Sequence, residues 1–290
     1  MNKVESALNS FEDLKTSVSL SINGKEFEWG KKNSFTLFAG PDSFESYEMV
    51  FEVAQRLKKI TDELQIPWLL KCSFDKANRQ SLNSFRSIGM DEALSGMQKI
   101  KDELGVGLIT DVHETSQVDK VAKVADVIQI PAFLCRQTDL VVAAAKTGKI
   151  LNIKKGQFMA PWDMKSIVEK AYAAGAENKV LLCERGASFG YNRLITDMMS
   201  LVEMRSIGVP VIYDATHSVQ VPGGKGTSSG GLKHMIAPLA RAAMATGVDG
   251  LFIECHPDPE NALCDGPISV PLHEMKELLG SLKRVKEAVI

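Results

Sequence analysis

From residue 35 onward, short apolar runs alternate with longer stretches in which apolar residues recur every three or four positions. The runs are residues 35–39 (FTLFA), 68–73 (WLLKCS), 106–111 (VGLITD), 127–130 (VIQI), 150–154 (ILNIK), 180–184 (VLLCE), 210–214 (PVIYD) and 250–254 (GLFIE). Near-continuous runs of this length predict strands buried on both faces, as in a parallel sheet. The stretches between them predict helices. Over 47–64, Val50, Val53, Leu57, Ile60 and Leu64 fall on one helical face, and over 272–289 Met275, Leu279, Leu282 and Val285 do the same. Eight strand–helix units in about 250 residues have the size of an α/β (β/α)8 barrel, with a doubly wound open sheet as the alternative. Ahead of them, residues 17–22 alternate polar and apolar, Asn23-Gly24 supplies a two-residue turn, and Phe27 and Trp29 resume the alternation. This predicts a β-hairpin outside the main fold, so that residues 1–30 form an N-terminal extension with the hairpin and residues 31–290 the barrel.

A barrel carries its chemistry at the carboxyl ends of its strands. Those ends hold Asp42, Lys71, Lys76, Asn78, Arg79, Asp111, His113, Glu114, Gln129, Arg136, Lys154, Lys155, Glu184, Arg185, Asp214, His217, Glu254 and His256. Strands hand over to polar loops in any protein, so a solvated position explains Glu114 and Lys155 as well as a functional one does. Lys71, Lys154 and Glu254 differ, because they interrupt apolar runs, and an unpaired charge buried there would cost several kcal/mol. They predict partners or a ligand.

Composition narrows what that ligand is. With 34 Lys+Arg against 36 Asp+Glu the net charge is −2, which offers neither nucleic acid nor an anionic membrane surface a basic face. Against that balance, Lys71, Lys76, Arg79, Arg136, Lys154 and Arg185 are expected to share one mouth, implying a small substrate with more than one phosphate or carboxylate. Neither GxxxxGK[ST] nor GxGxxG occurs, so a nucleotide is not indicated. The segment VPGGKGTSSGG over 221–231 reads equally as a flap over the mouth or an ordinary loop. His217, Glu254, Asp265 and Asp42 make a second group that could ligate a divalent metal, although their spacing alone is weak evidence; His234 and His273 are assigned no chemistry. The opening residues show no signal-peptide pattern, no stretch is long and apolar enough for a membrane helix, and five scattered cysteines without a CxxC pair suggest neither a disulfide framework nor structural zinc. The expectation is a soluble cytoplasmic enzyme.

Seven segments in order, KCSFDKANRQS (71–81), TDVHE (110–114), VIQIPAFLCRQTDL (127–140), NIKKGQFMAPWDM (152–164), CERGASFGYN (183–192), PVIYDATHSVQ (210–220) and FIECHPDPENALCDG (252–266), resemble the 3-deoxy-D-manno-octulosonate 8-phosphate synthase family. Ala77-Asn78-Arg79 resembles that branch rather than the heptulosonate synthases that share its barrel. The resemblance implies a homotetramer that condenses phosphoenolpyruvate with D-arabinose 5-phosphate and water and releases phosphate. It places Lys71, Lys76, Gln129, Lys154 and Arg185 around phosphoenolpyruvate, and Asn78 and Arg79 on the aldose phosphate, joined by Arg136 across a subunit contact. Asp111, His217, Glu254 and Asp265 would line the reacting centre, Lys154 handling the water and His217 with Asp265 the protons near the aldehyde oxygen. Three positions depart from the family pattern: Asp42 stands for the usual Asn or Cys, Gln80 for Ser and Cys72 for Ala. Cys264-Asp265-Gly266-Pro267 resembles the metal-independent branch, so no metal is expected to be required. Should a divalent ion such as manganese bind, Asp42, His217, Glu254 and Asp265 are its ligands. Two further readings remain open: a related synthase using another aldose, and a non-catalytic barrel that binds a sugar phosphate.

Overall fold

A computed structural model describes residues 13–32, 35–223 and 230–289. Ten strands matter to the site. Strands β1 (Val18–Ile22) and β2 (Lys25–Trp29) form the antiparallel hairpin, with Asn23 and Gly24 both at positive φ in its turn. The parallel strands β3 (Thr36–Gly40), β4 (Trp68–Lys71), β5 (Gly107–Asp111), β6 (Val127–Ile130), β7 (Ile150–Lys154), β8 (Val180–Glu184), β9 (Val211–Asp214) and β10 (Gly250–His256) pair in sequence order, and β10 pairs with both β3 and β9. The pairing of β10 with β3, last strand with first, closes the sheet into a barrel, and the open-sheet alternative falls.

One α-helix follows each barrel strand, from α1 (Tyr47–Leu64) and α2 (Met90–Leu104) through α3 (Val118–Val124), α4 (Thr138–Lys146), α5 (Met164–Ala173), α6 (Met198–Ser206) and α7 (Ile236–Ala245) to α8 (Met275–Val289). The bounds of α1 coincide with the periodic stretch. Ser46 caps it by accepting from the Met49 N–H at 3.2 Å, and Gln65 ends it in the left-handed region.

Strand alternation divides the apolar residues into two cores. Leu37, Leu70, Leu108, Ile128, Leu151, Leu182, Val211 and Leu251 point outward and pack against the helices. Phe38, Leu69, Ile109, Val127, Ile150, Leu181, Ile212 and Phe252 point inward, and Val18, Ile22, Phe27 and Trp29 of the hairpin join them. Phe27, Trp29 and Phe38 stack in series with centroids 6.3 and 6.0 Å apart. The hairpin therefore plugs the amino-terminal end of the barrel and shares its interior core. It keeps its own two-stranded sheet apart from the barrel strands, and what its apolar face covers is decided by the barrel, because alternation reveals an apolar face but not what lies against it. Asp249 fastens it there, accepting from the Gly30 N–H at 3.0 Å and the Val211 N–H at 2.8 Å while paired with Arg205.

Candidate active site

Because strand side chains alternate with a period of two, the next inward position after each lower apolar residue lies one layer higher. Leu69 is followed by Lys71, Ile109 by Asp111, Val127 by Gln129, Ile212 by Asp214 and Phe252 by Glu254; Ile150 is followed by Asn152 and then Lys154, and Leu181 by Cys183 and then Arg185. These polar side chains are all buried. In β3 the equivalent residue is Gly40, where a Cβ would stand 2.0 Å from the Lys71 carbonyl, so only glycine lets β3 and β4 approach there.

The ring of Phe252 is the floor, with Lys154 Nζ 3.9 Å and Lys71 Nζ 5.4 Å from its centroid. Lys71 donates to the Asp42 carbonyl at 3.0 Å, to Asp42 Oδ1 at 3.3 Å and to Glu254 Oε1 at 2.5 Å, and Lys76 pairs with Asp42 from above. Lys154 donates to Asp214 Oδ2 at 2.7 Å. Asp214 Oδ1 accepts from the His217 N–H at 2.9 Å, and its Oδ2 lies 2.9 Å from His217 Nδ1, a close approach without hydrogen-bond alignment. His217 Nε2 is 3.7 Å from both Glu254 Oε1 and Asp265 Oδ2. Gln220 links two walls, donating to Asp265 Oδ2 at 3.1 Å and accepting from Arg185 Nη2 at 3.0 Å. Arg79 donates to Cys264 Sγ at 2.5 Å and to the Leu263 carbonyl at 3.3 Å.

Burial opposes every one of these charges, and neighbours decide the outcome. It pushes the Asp42 carboxyl up, yet the Lys76 and Lys71 ammoniums hold it well below the usual carboxylate range. Asp214 is likewise lowered against its burial by His217 and Lys154, and Asp111 by His113, whose Nε2 is 3.0 Å away. Glu254 and Asp265 are raised, by burial first and then by the like charge of Asp42. Burial lowers the His217 imidazole despite Asp214 and Glu254, and it lowers the Arg185 guanidinium.

Above these groups opens a cavity of about 610 Å³. Lys71, Lys76, Asn78, Arg79, Asp111, Gln129, Lys154, Arg185, His217, Glu254 and Asp265 all line it, as do Gln80 and His113. Asp42 lies just beneath, behind Lys71 and Lys76. Arg136 does not join the other five cations. It is exposed in the turn before α4 and lines no part of its own chain's cavity, whose wall after β6 ends with Pro131 and the short helical turn Ala132–Leu134. Lys155 also departs from a solvated position: it is buried against Glu184, whereas Glu114 is exposed. Asp214 and Gln220 hold Lys154 and Arg185; from sequence Asp214 was noted only as a strand end, without a role, and Gln220 was not noted as a site residue. Asp214 carried a signal, being an acid at the end of an apolar run like Glu254. Of the 221–231 segment, residues 224–229 lie outside those described. A groove of similar volume between α2 and α3 is walled by the exposed charges Asp91, Lys99, Asp102, Lys120 and Lys123, an ordinary solvated surface.

The ligating atoms of Asp42, His217, Glu254 and Asp265 lie within 4.8 Å of one another. One imidazole and three carboxylates suit a hard divalent ion, and Asp42 Oδ2 and Glu254 Oε2 are buried without a hydrogen-bond partner, so the residues fit such an ion. The Lys71 and Lys76 ammoniums lie against two of the same carboxylates and compensate their charge from within the chain.

A (β/α)8 barrel whose strand ends present buried lysines, arginines and carboxylates to one cavity defines the class, an enzyme acting on a small anion. The particular family follows from comparison. The model of the DAHP synthetase I family matches residues 15–290, and the chain belongs to that family. Among curated relatives, the 2-dehydro-3-deoxyphosphooctonate aldolase of Trichlorobacter lovleyi is 56% identical over 270 residues, covering 93% of this chain and 98% of that protein. Proteins of the same name from Desulfotalea psychrophila and Cupriavidus necator are 53% and 54% identical, over 92% and 91% of this chain and 95% and 93% of theirs. Among the described residues no helix is long and apolar enough to cross a membrane.

Proposed function

We propose that the chain condenses phosphoenolpyruvate with D-arabinose 5-phosphate and water, giving 3-deoxy-D-manno-octulosonate 8-phosphate and inorganic phosphate. The observation that carries this is the pair of cationic ends of one cavity. Arg185 extends from β8 and Arg79 from the loop after β4, strands on opposite sides of the closed barrel, and Arg185 Nη1 and Arg79 Nε are buried there without hydrogen-bond partners. Two separated groups of this kind suit two phosphate-bearing substrates.

In the reaction a C–C bond forms between C3 of phosphoenolpyruvate and the aldehyde carbon, and water adds to C2. The aldehyde oxygen takes up a proton, and the bond from C2 to the phosphate oxygen breaks to release phosphate. Lys71, Lys76, Gln129, Lys154 and Arg185 hold the trianion, and the lysines and Arg185 screen the charge that develops at C2. Lys154, steadied by Asp214, orients the water and exchanges its proton. His217 with Asp265 delivers a proton towards the aldehyde oxygen, and Glu254 and Asp111 fix the groups around them. Asn78 and Arg79 take the aldose phosphate. Holding both substrates above the Phe252 floor converts the encounter into a near-unimolecular step.

No metal is required in this reading, since Lys71 and Lys76 supply the countercharge at Asp42 and Glu254. A divalent ion such as manganese, if present, would be held by Asp42, His217, Glu254 and Asp265 and would polarise the aldehyde oxygen as a Lewis acid. The enzyme acts in the cytoplasm, consistent with five free, buried cysteines. It acts as a homotetramer in which Arg136 reaches the site of a neighbouring copy; the exposed Phe133, Phe189, Tyr191 and Met199 beside the mouth supply apolar surface for self-association. The test is phosphate release from phosphoenolpyruvate by chelator-treated enzyme, with D-arabinose 5-phosphate and D-erythrose 4-phosphate as acceptors and manganese restored in parallel. Turnover with arabinose 5-phosphate before restoration is the expected result. Turnover only after restoration would make Asp42 an obligatory ligand, and turnover with erythrose 4-phosphate alone would overturn the acceptor and point to Gln80.

A further inference from the structure

Lys154 and Arg185 point into the barrel, and strand alternation turns the residues beside them, Lys155 and Glu184, outward into the layer between strands and helices. Both are 1% exposed. Lys155 Nζ lies 3.5 Å from Glu184 Oε2 and donates to the Met159 carbonyl at 3.2 Å. Glu184 Oε1 accepts from the Gly186 N–H at 2.7 Å, and its Oε2 accepts from Ser200 Oγ, at the start of α6, at 2.9 Å. Gly186 directly follows Arg185 and sits at φ +92°, so this bond fixes the peptide at the carboxyl side of the arginine. The Lys155 N–H donates to the Cys183 carbonyl at 2.8 Å, carrying the β7–β8 ladder one residue beyond Lys154. The outward pair thus ties together the backbones that bear the two inward cations. Well-packed apolar residues would fill the same space without desolvating two ions, so stability alone gives no reason for charges here.

We propose that Lys155 and Glu184 are positioning residues, holding Lys154 and Arg185 at the spacing with which they grip the phosphoenolpyruvate anion; this rests on the function proposed above. The test compares the wild type with two double variants of unchanged net charge. Lys155→Met with Glu184→Leu removes the pair, and Lys155→Met with Glu184→Gln keeps an acceptor for the Gly186 N–H. Thermal melting checks the fold, calorimetric titration gives Kd for phosphoenolpyruvate without acceptor, and steady-state kinetics give KM for the aldose phosphate. The Met/Leu variant is expected to melt within a few degrees of wild type and to bind phosphoenolpyruvate about tenfold more weakly, with the aldose KM within about threefold. The Met/Gln variant recovers part of the loss. Unchanged phosphoenolpyruvate affinity in Met/Leu, or equal weakening towards both substrates, overturns the inference. A wild type that binds no phosphoenolpyruvate overturns the functional reading instead. Inorganic phosphate titrated into the same three proteins then reads the grip of Lys154 and Arg185 directly, and equal affinity across them overturns the positioning role.

Discussion

At the amino-terminal end of the barrel interior, Leu69, Ile150, Ile212 and Phe252 close on Phe27 and Trp29 of the hairpin. Two to four residues further along the same strands, Lys71, Lys154, Asp214 and Glu254 face one another across the floor that Phe252 provides. The lower layer excludes water with apolar area and rings, and its contribution is stability. The upper layer buries ions whose desolvation is only partly offset by pairing, and its contribution is a charged cavity ready for an anion. A single strand can serve both purposes because its side chains return to the same face every second residue.

The largest expected effect tests the upper layer. Lys154→Met should lower phosphate release by about a thousandfold or more, since it removes both a contact to the substrate and the group proposed to handle the water. Comparable turnover in a folded variant would move the water chemistry elsewhere. At the lower layer, Trp29→Ala should cost about 3–5 kcal/mol of stability in denaturant titration, while kcat at a permissive temperature stays within about threefold. A folded Trp29→Ala protein with collapsed kcat would show that the two layers are not separable.

Within the upper layer, Arg79→Ala should raise KM for the aldose phosphate about 10- to 100-fold and change that for phosphoenolpyruvate much less. Equal weakening would mean that the cavity has no two ends. The smallest effect lies below the barrel, where Lys286 of α8 is buried and its ammonium is lowered by burial, with Asp249 opposing and Arg205 adding to the shift. With a folded pKa below the unfolded one, the cost of burying its charge is complete below the folded pKa and fades as the pH rises through it. Lys286→Met should therefore raise Tm by about 1–2 °C while the ammonium is charged in the folded protein, a gain that narrows as the pH rises through its folded pKa. A gain independent of pH would assign the effect to packing instead.

Much of this was legible in the chain. Eight apolar runs located the eight barrel strands to within two residues, because both faces of a parallel strand are buried and the run has no polar alternation to blur it. Lys71, Lys154 and Glu254 stood out because a charge inside such a run needs a partner. Their partners were less visible. Lys71 meets Glu254 across 183 positions of chain, and Lys154 meets Asp214 across 60.

By itself, then, the sequence determined the strand–helix order, the inward residues of each strand and the chemical character of the mouth. These depend on periodicity and residue type, which are local properties. Only the tertiary structure decided that the hairpin plugs the barrel, that Arg136 lies outside the lining of its own cavity, and that Lys155 and Glu184 pair behind the wall. Each of these depends on which distant surface lies opposite a side chain, and barrel closure fixes that by joining the first barrel strand, β3, to the last, β10, 210 residues apart from the end of one to the start of the other.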